Sequence, residues 1–316
     1  MKQTCFLVLL LSIGPYRLHA QVPDSLLRIF EYDSTQQVEI KIVSEFDYTF
    51  NDVPLKLVTS PAKSGSHHVR VSSVTYRSKN QFSVSAWITA PISADSLMER
   101  PVAIFQHWGE GNKDEFLSEA ILLSKKGFIC LLPDAPNHCP GTPFPSKSED
   151  VFEIFRYGVV NVRCGINLLF QNYNVNRSKI IFTGHSYGAG VGAILSGIEP
   201  RISAYILMTG LPSFSKALQD ESDARLVSYR QRHPKEFDDH VRLMQPLDAE
   251  LYIAHKKVPV YLQLATRDEY IPLKFSRQYE QLVPAPKKVT YYQATHDLNE
   301  AASKDRRTFI DNFIIR

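Results

Sequence analysis

The chain has 316 residues, of which 44% are hydrophobic and 22% are charged, so it can bury a sizeable core as one large globular domain. Its 36 basic and 33 acidic residues nearly cancel and leave a formal net charge of +3 at pH 7. Because no basic run with interleaved aromatic residues occurs, the composition argues against nucleic acid as a partner.

The first twenty residues differ from the rest of the chain. Lys2 precedes a short apolar run over residues 5–11, and Leu18-His19-Ala20 offers a small-residue cleavage site. This order is typical of a secretory signal peptide, and the apolar run is shorter than the roughly 20 residues that span a bilayer. We therefore predict that residues 1–20 are a signal peptide cleaved after Ala20 and that the mature chain is secreted or periplasmic, with no stable membrane span. An uncleaved membrane anchor is the alternative.

Three cysteines remain once Cys5 leaves with the leader: Cys130, Cys139 and Cys164. An odd number does not complete a disulfide framework. Cys130 and Cys139 could bridge in an oxidising compartment, but Cys130 also falls in an apolar segment typical of a buried strand. We favour free thiols and leave the disulfide as the alternative.

The first predicted strands precede the main sheet. Residues 23–65 contain alternating stretches, such as residues 38–43, and are predicted to form strands in an N-terminal extension. The alternating runs 69–77 and 82–89 are separated by the polar residues 78–81, a pattern that predicts an antiparallel hairpin.

Beyond Pro101, short apolar segments alternate with longer segments of helical character. This alternation predicts a mostly parallel sheet with helices on both faces, in a single domain that spans residues 21–316. The apolar segments are residues 102–105, 128–132, 180–183, 202–208, 258–264 and 289–292. The polar segment 211–256 interrupts the rhythm where open α/β sheets bind ligands, so we predict a small helical cap that forms the pocket walls.

The most informative motif is Gly184-His185-Ser186-Tyr187-Gly188, which lies between an apolar run and a run of small residues. A strand, a tight turn that carries a serine, and a helix form a nucleophile elbow, in which the two glycines leave room for a strained backbone. Since G-x-S-x-G occurs by chance in many proteins, the flanking strand and helix are what make the prediction specific.

A serine hydroxyl is a weak nucleophile near neutral pH and needs a base within hydrogen-bond reach and an acid that orients this base. Asp268 follows the next-to-last predicted strand, and His296 follows the last one. We therefore predict Ser186, Asp268 and His296 on loops at one edge of one sheet. Glu269 is the alternative acid, and capping of the last helix is the alternative role for the histidine.

An oxyanion hole is predicted from two backbone N–H groups, which stabilise the negative charge that grows on an attacked carbonyl oxygen. Tyr187 N–H, directly after the serine, is the expected first donor. The second is expected in the segment Trp108-Gly109-Glu110-Gly111, from either Trp108 or Gly109. An ordinary strand-to-helix turn is the alternative interpretation of this segment.

No cofactor or metal is needed in this chemistry. A zinc site from His107, His138 and Cys139 is conceivable, but their spacing matches no recognisable ligand pattern. We expect six histidines without a suitably spaced partner to lie in solvated surface: His67, His68, His138, His233, His240 and His255.

Four ordered motifs together resemble the α/β-hydrolase superfamily, nearest to its dienelactone-hydrolase-like and acetyl-xylan-esterase-like branches. They are the segment 106–111, the elbow 184–188, the turn 266–268 and the segment 295–298. The resemblance covers the chain from about Val69 to its C-terminus, and the order Ser, Asp, His is the one that this superfamily uses. It implies the α/β-hydrolase fold. Ser186 stands where dienelactone hydrolases proper carry cysteine, which favours a serine esterase.

Motifs and resemblance together predict a secreted serine hydrolase that cleaves a carboxylic ester through an acyl-enzyme. The substrate class is a small-molecule or polysaccharide-linked ester, with a short-chain acyl or acetyl group as one possibility; the acyl group, the alcohol and the oligomeric state are left open. One alternative is a peptidase or amidase of prolyl-oligopeptidase-like type, although this chain has no room for the propeller domain that those enzymes usually carry. The other alternative is a non-catalytic binding protein on a hydrolase fold. The latter usually lacks one triad residue.

Overall fold

The computed structural model describes residues 21–51, 53–58, 67–77, 82–92, 98–139 and 148–315. Three of the predicted features lie outside these residues: the signal peptide with its cleavage site after Ala20, part of the N-terminal extension, and the hairpin turn 78–81. Within the described ranges, each helix is too short or too polar to cross a membrane.

Ten strands of the described chain form one sheet. The strands are β1 (Glu39–Asn51), β2 (Val53–Val58), β3 (His67–Arg77), β4 (Val84–Pro91), β5 (Arg100–Gln106), β6 (Ile129–Pro133), β7 (Val175–His185), β8 (Ala204–Met208), β9 (Val260–Ala265) and β10 (Lys287–Tyr292). Their order in the sheet is β10-β9-β8-β7-β5-β6-β4-β3-β1-β2. The strands β5 to β10 pair in parallel, whereas β1 to β4 pair antiparallel and β4 joins the parallel part through β6. The predicted mostly parallel sheet with an N-terminal antiparallel hairpin is confirmed.

The helices lie on both faces of this sheet. They are α1 (Asp24–Ile29), α2 (Leu117–Lys125), α3 (Ser148–Asn172), α4 (Tyr187–Ile198), α5 (Phe214–Leu218), α6 (Ala224–Arg232), α7 (Pro234–Met244), α8 (Glu250–Ile253), α9 (Leu273–Leu282) and α10 (Glu300–Ile315). Successive side chains of a strand point to opposite faces. Accordingly, Val102 and Ile104 of β5 pack in one cluster with α3 and α4, whereas Ala103 and Phe105 pack in another with α2 and α10. This two-sided burial explains why the buried parts of the central strands are mostly apolar.

The segment 211–256 contains four of these helices, α5 to α8. Its last helix, α8, packs against α4: Tyr252 and Ile253 are fully buried, and a Cβ at Gly197 of α4 would collide with the Tyr252 backbone. The end of the predicted cap segment therefore belongs to the helical layer on the sheet. Only α5 to α7 are left to form a cap.

Cys130, Cys139 and Cys164 are all buried, and none of them forms a disulfide in the described part of the chain. Burial raises the pKa of the Cys130 thiol to about 12 and that of Cys139 to about 11. Thiols held in the protonated form are poor nucleophiles. These cysteines therefore fill space in the core.

A buried ion cluster attaches the N-terminal segment to the domain. Glu199, which follows α4, accepts hydrogen bonds from Arg201 (Nη2 to Oε2, 2.6 Å) and Arg163 (Nε to Oε2, 3.2 Å). Arg163 also donates to the Phe30 carbonyl at 2.7 Å, and Arg201 donates to the Tyr32 hydroxyl at 2.6 Å. Burial raises the pKa of the Glu199 carboxyl, but the bonds and charges of the two arginines outweigh it and hold that pKa below the ordinary 4.5.

We expect Glu199→Gln to lower the free energy of unfolding by about 3 kcal/mol at neutral pH, because two arginines lose their buried counterion. The folded-state pKa of Glu199 lies below its unfolded value, so its contribution is complete above pH 4.5 and is lost as the pH falls through the folded-state pKa. Urea unfolding of the wild type and of Glu199→Gln across acidic pH measures this contribution. The difference between their free energies of unfolding should shrink below pH 4.5. Glu153→Gln, at a half-exposed pair with Arg156, is the control and should cost less than about 1 kcal/mol. A difference that does not depend on pH would contradict the assignment.

Candidate active site

Ser186 lies in a strained turn between β7 and α4. Its φ of 53° and ψ of −106° put it in the left-handed half of conformational space, which residues with a Cβ rarely adopt. Cβ atoms built at Gly184 and Gly188 would overlap the carbonyl oxygens of Gly188 and Gln106 respectively. The two glycines of the motif are therefore required for the close approach of β5, β7 and α4. The strand, turn and helix predicted for the elbow are present.

The side chains of Asp268 and His296 meet at the same edge of the sheet, after β9 and β10. His296 Nδ1 lies 2.9 Å from Asp268 Oδ2 and 3.0 Å from Oδ1, and the two side chains are 3% and 2% exposed. Since Nδ1 faces a carboxylate, it carries the ring proton, and Nε2 is left as the acceptor. This is the tautomer that a general base requires.

The carboxylate of Asp268 is fixed by the loop that carries it. The backbone N–H groups of Tyr270 and Ile271 both donate to Asp268 Oδ1 at 2.9 Å. Burial raises the pKa of the Asp268 carboxyl, but the bonds from His296, Ile271 and Tyr270 outweigh burial and keep that pKa below its ordinary value. Asp268 is therefore ionised at neutral pH.

The alternative acid, Glu269, is exposed and does not pair with the imidazole. Its Oε2 accepts the backbone N–H of His296 at 3.1 Å. The structure thus brings Asp268 to the His296 ring and Glu269 to the His296 backbone.

The histidine loop is bonded to the residues around the serine. The carbonyl of His296 accepts from Thr209 Oγ1 at 3.2 Å and contacts His185 Nε2 at 3.1 Å. Ser186 N–H donates to the carbonyl of Met208 at 2.9 Å. Because His185 precedes Ser186 and Thr209 follows Met208, these bonds bring the loops after β7, β8 and β10 together at one edge.

The predicted oxyanion segment lies beside the elbow: a Cβ at Gly109 would be 3.9 Å from the Cβ of Tyr187. Tyr187 is the first residue of α4, so its N–H has no partner within the helix. Trp108 N–H, by contrast, donates to Glu115 Oε2 at 2.9 Å. The Trp108 N–H is therefore already hydrogen-bonded, which leaves the Gly109 N–H as the candidate for the second oxyanion donor.

His107 orients the peptide bond between Trp108 and Gly109. Its Nε2 accepts the backbone N–H of Ala135 at 2.8 Å, so its Nδ1 carries the proton and donates to the Trp108 carbonyl at 2.6 Å. Since the C=O and N–H of a trans peptide point in opposite directions, the Gly109 N–H points away from His107. Burial lowers the pKa of His107, which keeps the ring neutral.

These bonds also bear on the zinc alternative and on His138. Both ring nitrogens of His107 are used by backbone groups, and no group of three or more His, Cys, Asp or Glu in the described residues is arranged to hold a metal ion. The side chain of His138, expected in solvated surface, is exposed, but its Nε2 lies 3.2 Å from the Gly109 carbonyl. It is therefore a second histidine in contact with the oxyanion segment.

Two residues of this edge were missed in the sequence, His185 and Glu115. His185 Nδ1 lies 2.6 Å from Glu115 Oε1. The position of His185 inside the elbow motif was a signal that could have found it. Glu115 had no such signal, since it precedes a helix, as many solvated acids do.

Aromatic rings border the site on two sides. Tyr270 is 61% exposed, and its ring lies edge-on to His296 with the ring centroids 4.9 Å apart. On the other side, Phe155 contacts the Tyr187 ring at 4.8 Å and the Phe214 ring at 5.1 Å. Phe214 opens α5, so the first helix of the cap segment is connected to the elbow through these rings.

The chain matches a family model described as the alpha/beta hydrolase fold over residues 101–315. An acetyl xylan esterase from Paenibacillus sp. R4 superposes with a TM-score of 0.67 at 15% identity, over 92% of this chain and 99% of that one. Acetyl xylan esterase 1 from Thermoanaerobacterium sp. JW/SL YS485 superposes with a TM-score of 0.67 at 14% identity, over 93% of this chain and 95% of that one. An esterase from Pyrococcus furiosus superposes with a TM-score of 0.57 at 17% identity, over 78% of this chain and 91% of that one. Comparison with curated proteins gives no match. At these identities the likeness establishes the fold.

Proposed function

This chain belongs to the α/β-hydrolase fold family, and on that premise we propose that it is a serine esterase with Ser186 as nucleophile, His296 as general base and acid, and Asp268 as the orienting acid. The observation that carries the proposal is the buried Asp268–His296 pair at the sheet edge where the strained turn presents Ser186. A buried carboxylate is expensive to maintain for stability alone, which favours a catalytic role for Asp268 and the histidine it bonds.

In the proposed reaction Ser186 Oγ attacks the acyl carbon while His296 Nε2 takes its proton. His296 then gives this proton to the leaving alcohol, an acyl-enzyme forms, and water releases the acid by the same steps in reverse. Asp268 stabilises the imidazolium that forms twice in each cycle. The chain's own side chains account for every proton transfer, and no cofactor or metal is invoked.

We place the oxyanion between the N–H groups of Tyr187 and Gly109. Both belong to rigid parts of the site, the start of α4 and a loop whose carbonyls are bonded to His107 and His138. Donors that do not have to reorganise contribute most to transition-state stabilisation, by about 3 to 4 kcal/mol each.

The proposed substrate is a short-chain ester, with acetyl as the first candidate. The likeness to two acetyl xylan esterases over more than nine-tenths of the chain supports this choice. The leaving alcohol has to lie within hydrogen-bond reach of His296, so it would also contact the exposed Tyr270 ring. We further propose that residues 1–20 export the protein, because their order of charge, apolar run and small residues is that of a signal peptide.

An ester panel from acetyl to long-chain acyl, including acetylated xylan, tests this function. We expect the highest kcat/KM for acetyl esters and a steady fall as the acyl chain lengthens. Aminoacyl-arylamides serve as the contrast, since a peptidase would prefer them. A preference for long acyl chains would overturn the short-chain assignment, and a preference for arylamides would overturn the esterase.

A further inference from the structure

Glu115 lies where three loops of the candidate site meet. Its Oε1 is 2.6 Å from His185 Nδ1, and its Oε2 accepts the backbone N–H of Trp108 at 2.9 Å. The other ring nitrogen of His185, Nε2, is 3.1 Å from the carbonyl of His296. A single chain of hydrogen bonds therefore runs from the oxyanion segment through Glu115 and His185 to the histidine loop.

The partners of His185 determine its protonation. Nδ1 faces a carboxylate and Nε2 faces a carbonyl, and both are acceptors without a hydrogen to give. A neutral imidazole could donate to only one of them, whereas the imidazolium donates to both. The His185 side chain is 3% exposed and the Glu115 side chain 21% exposed, so the contact between them is shielded from most of the solvent. The Trp108 and His296 rings lie next to His185, with centroids at 6.4 and 5.2 Å.

The Glu115–His185 contact acts on the two groups that the proposed reaction needs in fixed positions. Glu115 holds the N–H of Trp108 while His107 holds its carbonyl, so both peptide planes that flank Trp108 are fixed. The second of these planes carries the Gly109 N–H. At the other end, His185 holds the backbone of His296 beside the elbow. Neither Glu115 nor His185 needs to touch substrate to have this effect.

We propose that Glu115 and the doubly protonated His185 are positioning residues that lock the oxyanion segment and the general base to the nucleophile elbow. The proposal rests on the proposed serine-esterase function. It goes beyond that function by assigning a second carboxylate–histidine pair, next to Asp268 and His296, that sets the geometry of the site without taking part in proton transfer.

The kinetic test uses Glu115→Gln and His185→Gln with p-nitrophenyl acetate. We expect each to lower kcat about 100-fold while KM stays within about threefold, because misplaced groups weaken the transition state more than ground-state binding. The double variant should lose about as much as either single one, because both act through one bridge. Glu99→Gln is the control: this exposed glutamate precedes β5 at the opposite edge of the sheet. A Glu115→Gln enzyme with lower thermal stability but wild-type kcat would overturn the positioning role.

Nitrogen-15 NMR of the wild-type protein, with His185→Gln to assign the signal, tests the ion pair without reference to activity. We expect two ring N–H protons on His185 at neutral pH; a single protonated nitrogen would overturn the assignment. If wild-type Ser186 fails to react with a fluorophosphonate probe, the proposed function fails, and the NMR result still decides whether the ion pair exists.

Discussion

Replacing Ser186 by alanine is expected to lower kcat for p-nitrophenyl acetate by about 10⁶-fold and to abolish labelling by a fluorophosphonate. The loss is this large because the acyl-enzyme route disappears altogether, while the oxyanion donors and the binding pocket that remain supply only a small residual rate. Alanine fits the turn, since it carries the same Cβ at φ 53° that serine carries there. The variant should therefore keep the wild-type circular dichroism and melting temperature.

Ser178→Ala is a matched control for this experiment. Ser178 lies on the same strand, β7, but is exposed, and its hydroxyl donates to Asn176 far from the elbow. The Ser178→Ala variant should react with the fluorophosphonate and hydrolyse p-nitrophenyl acetate like the wild type. Unchanged labelling in the Ser186 variant would remove this residue from the mechanism.

Asp268→Asn is expected to lower kcat by about 10⁴-fold with little change in fold. The N–H groups of Tyr270 and Ile271 both point at Oδ1, so they hold the amide oxygen of the asparagine there. The amide nitrogen then occupies the Oδ2 position and donates to His296 Nδ1. This forces the proton onto Nε2, and the ring can no longer accept the proton of Ser186.

Pre-steady-state acylation with p-nitrophenyl acetate measures this loss directly. Glu269→Gln is the informative contrast, because a glutamine oxygen can still accept the His296 backbone N–H that Glu269 binds. Its effect on kcat should be far smaller. An equal loss in the two variants would contradict the assignment of Asp268 as the acid.

Much of the fold could be predicted because its signals are local. A strand buried on both faces is largely apolar, so the central parallel strands stand out in the sequence, each within a few residues of its position in the structure. The elbow is equally local: Gly184 and Gly188 are the residues that allow its close contacts. The carboxyl ends of parallel strands meet at one edge, and this rule alone predicted Asp268 and His296 at the edge of the sheet that carries the elbow.

The hydrogen bonds between loops were decided by the tertiary structure alone. Glu115 and His185 are 70 positions apart, and His185 and His296 are 111 apart, so no sequence spacing connects them. The choice between Trp108 and Gly109 depends on the rotation of a peptide plane, which His107 and Glu115 set from outside the segment. The proposed catalytic residues could be selected from the sequence, because the elbow and the strand ends are each recognised from neighbouring residues. The orientation of those residues arises only from contacts between distant ones, which form once the sheet has assembled.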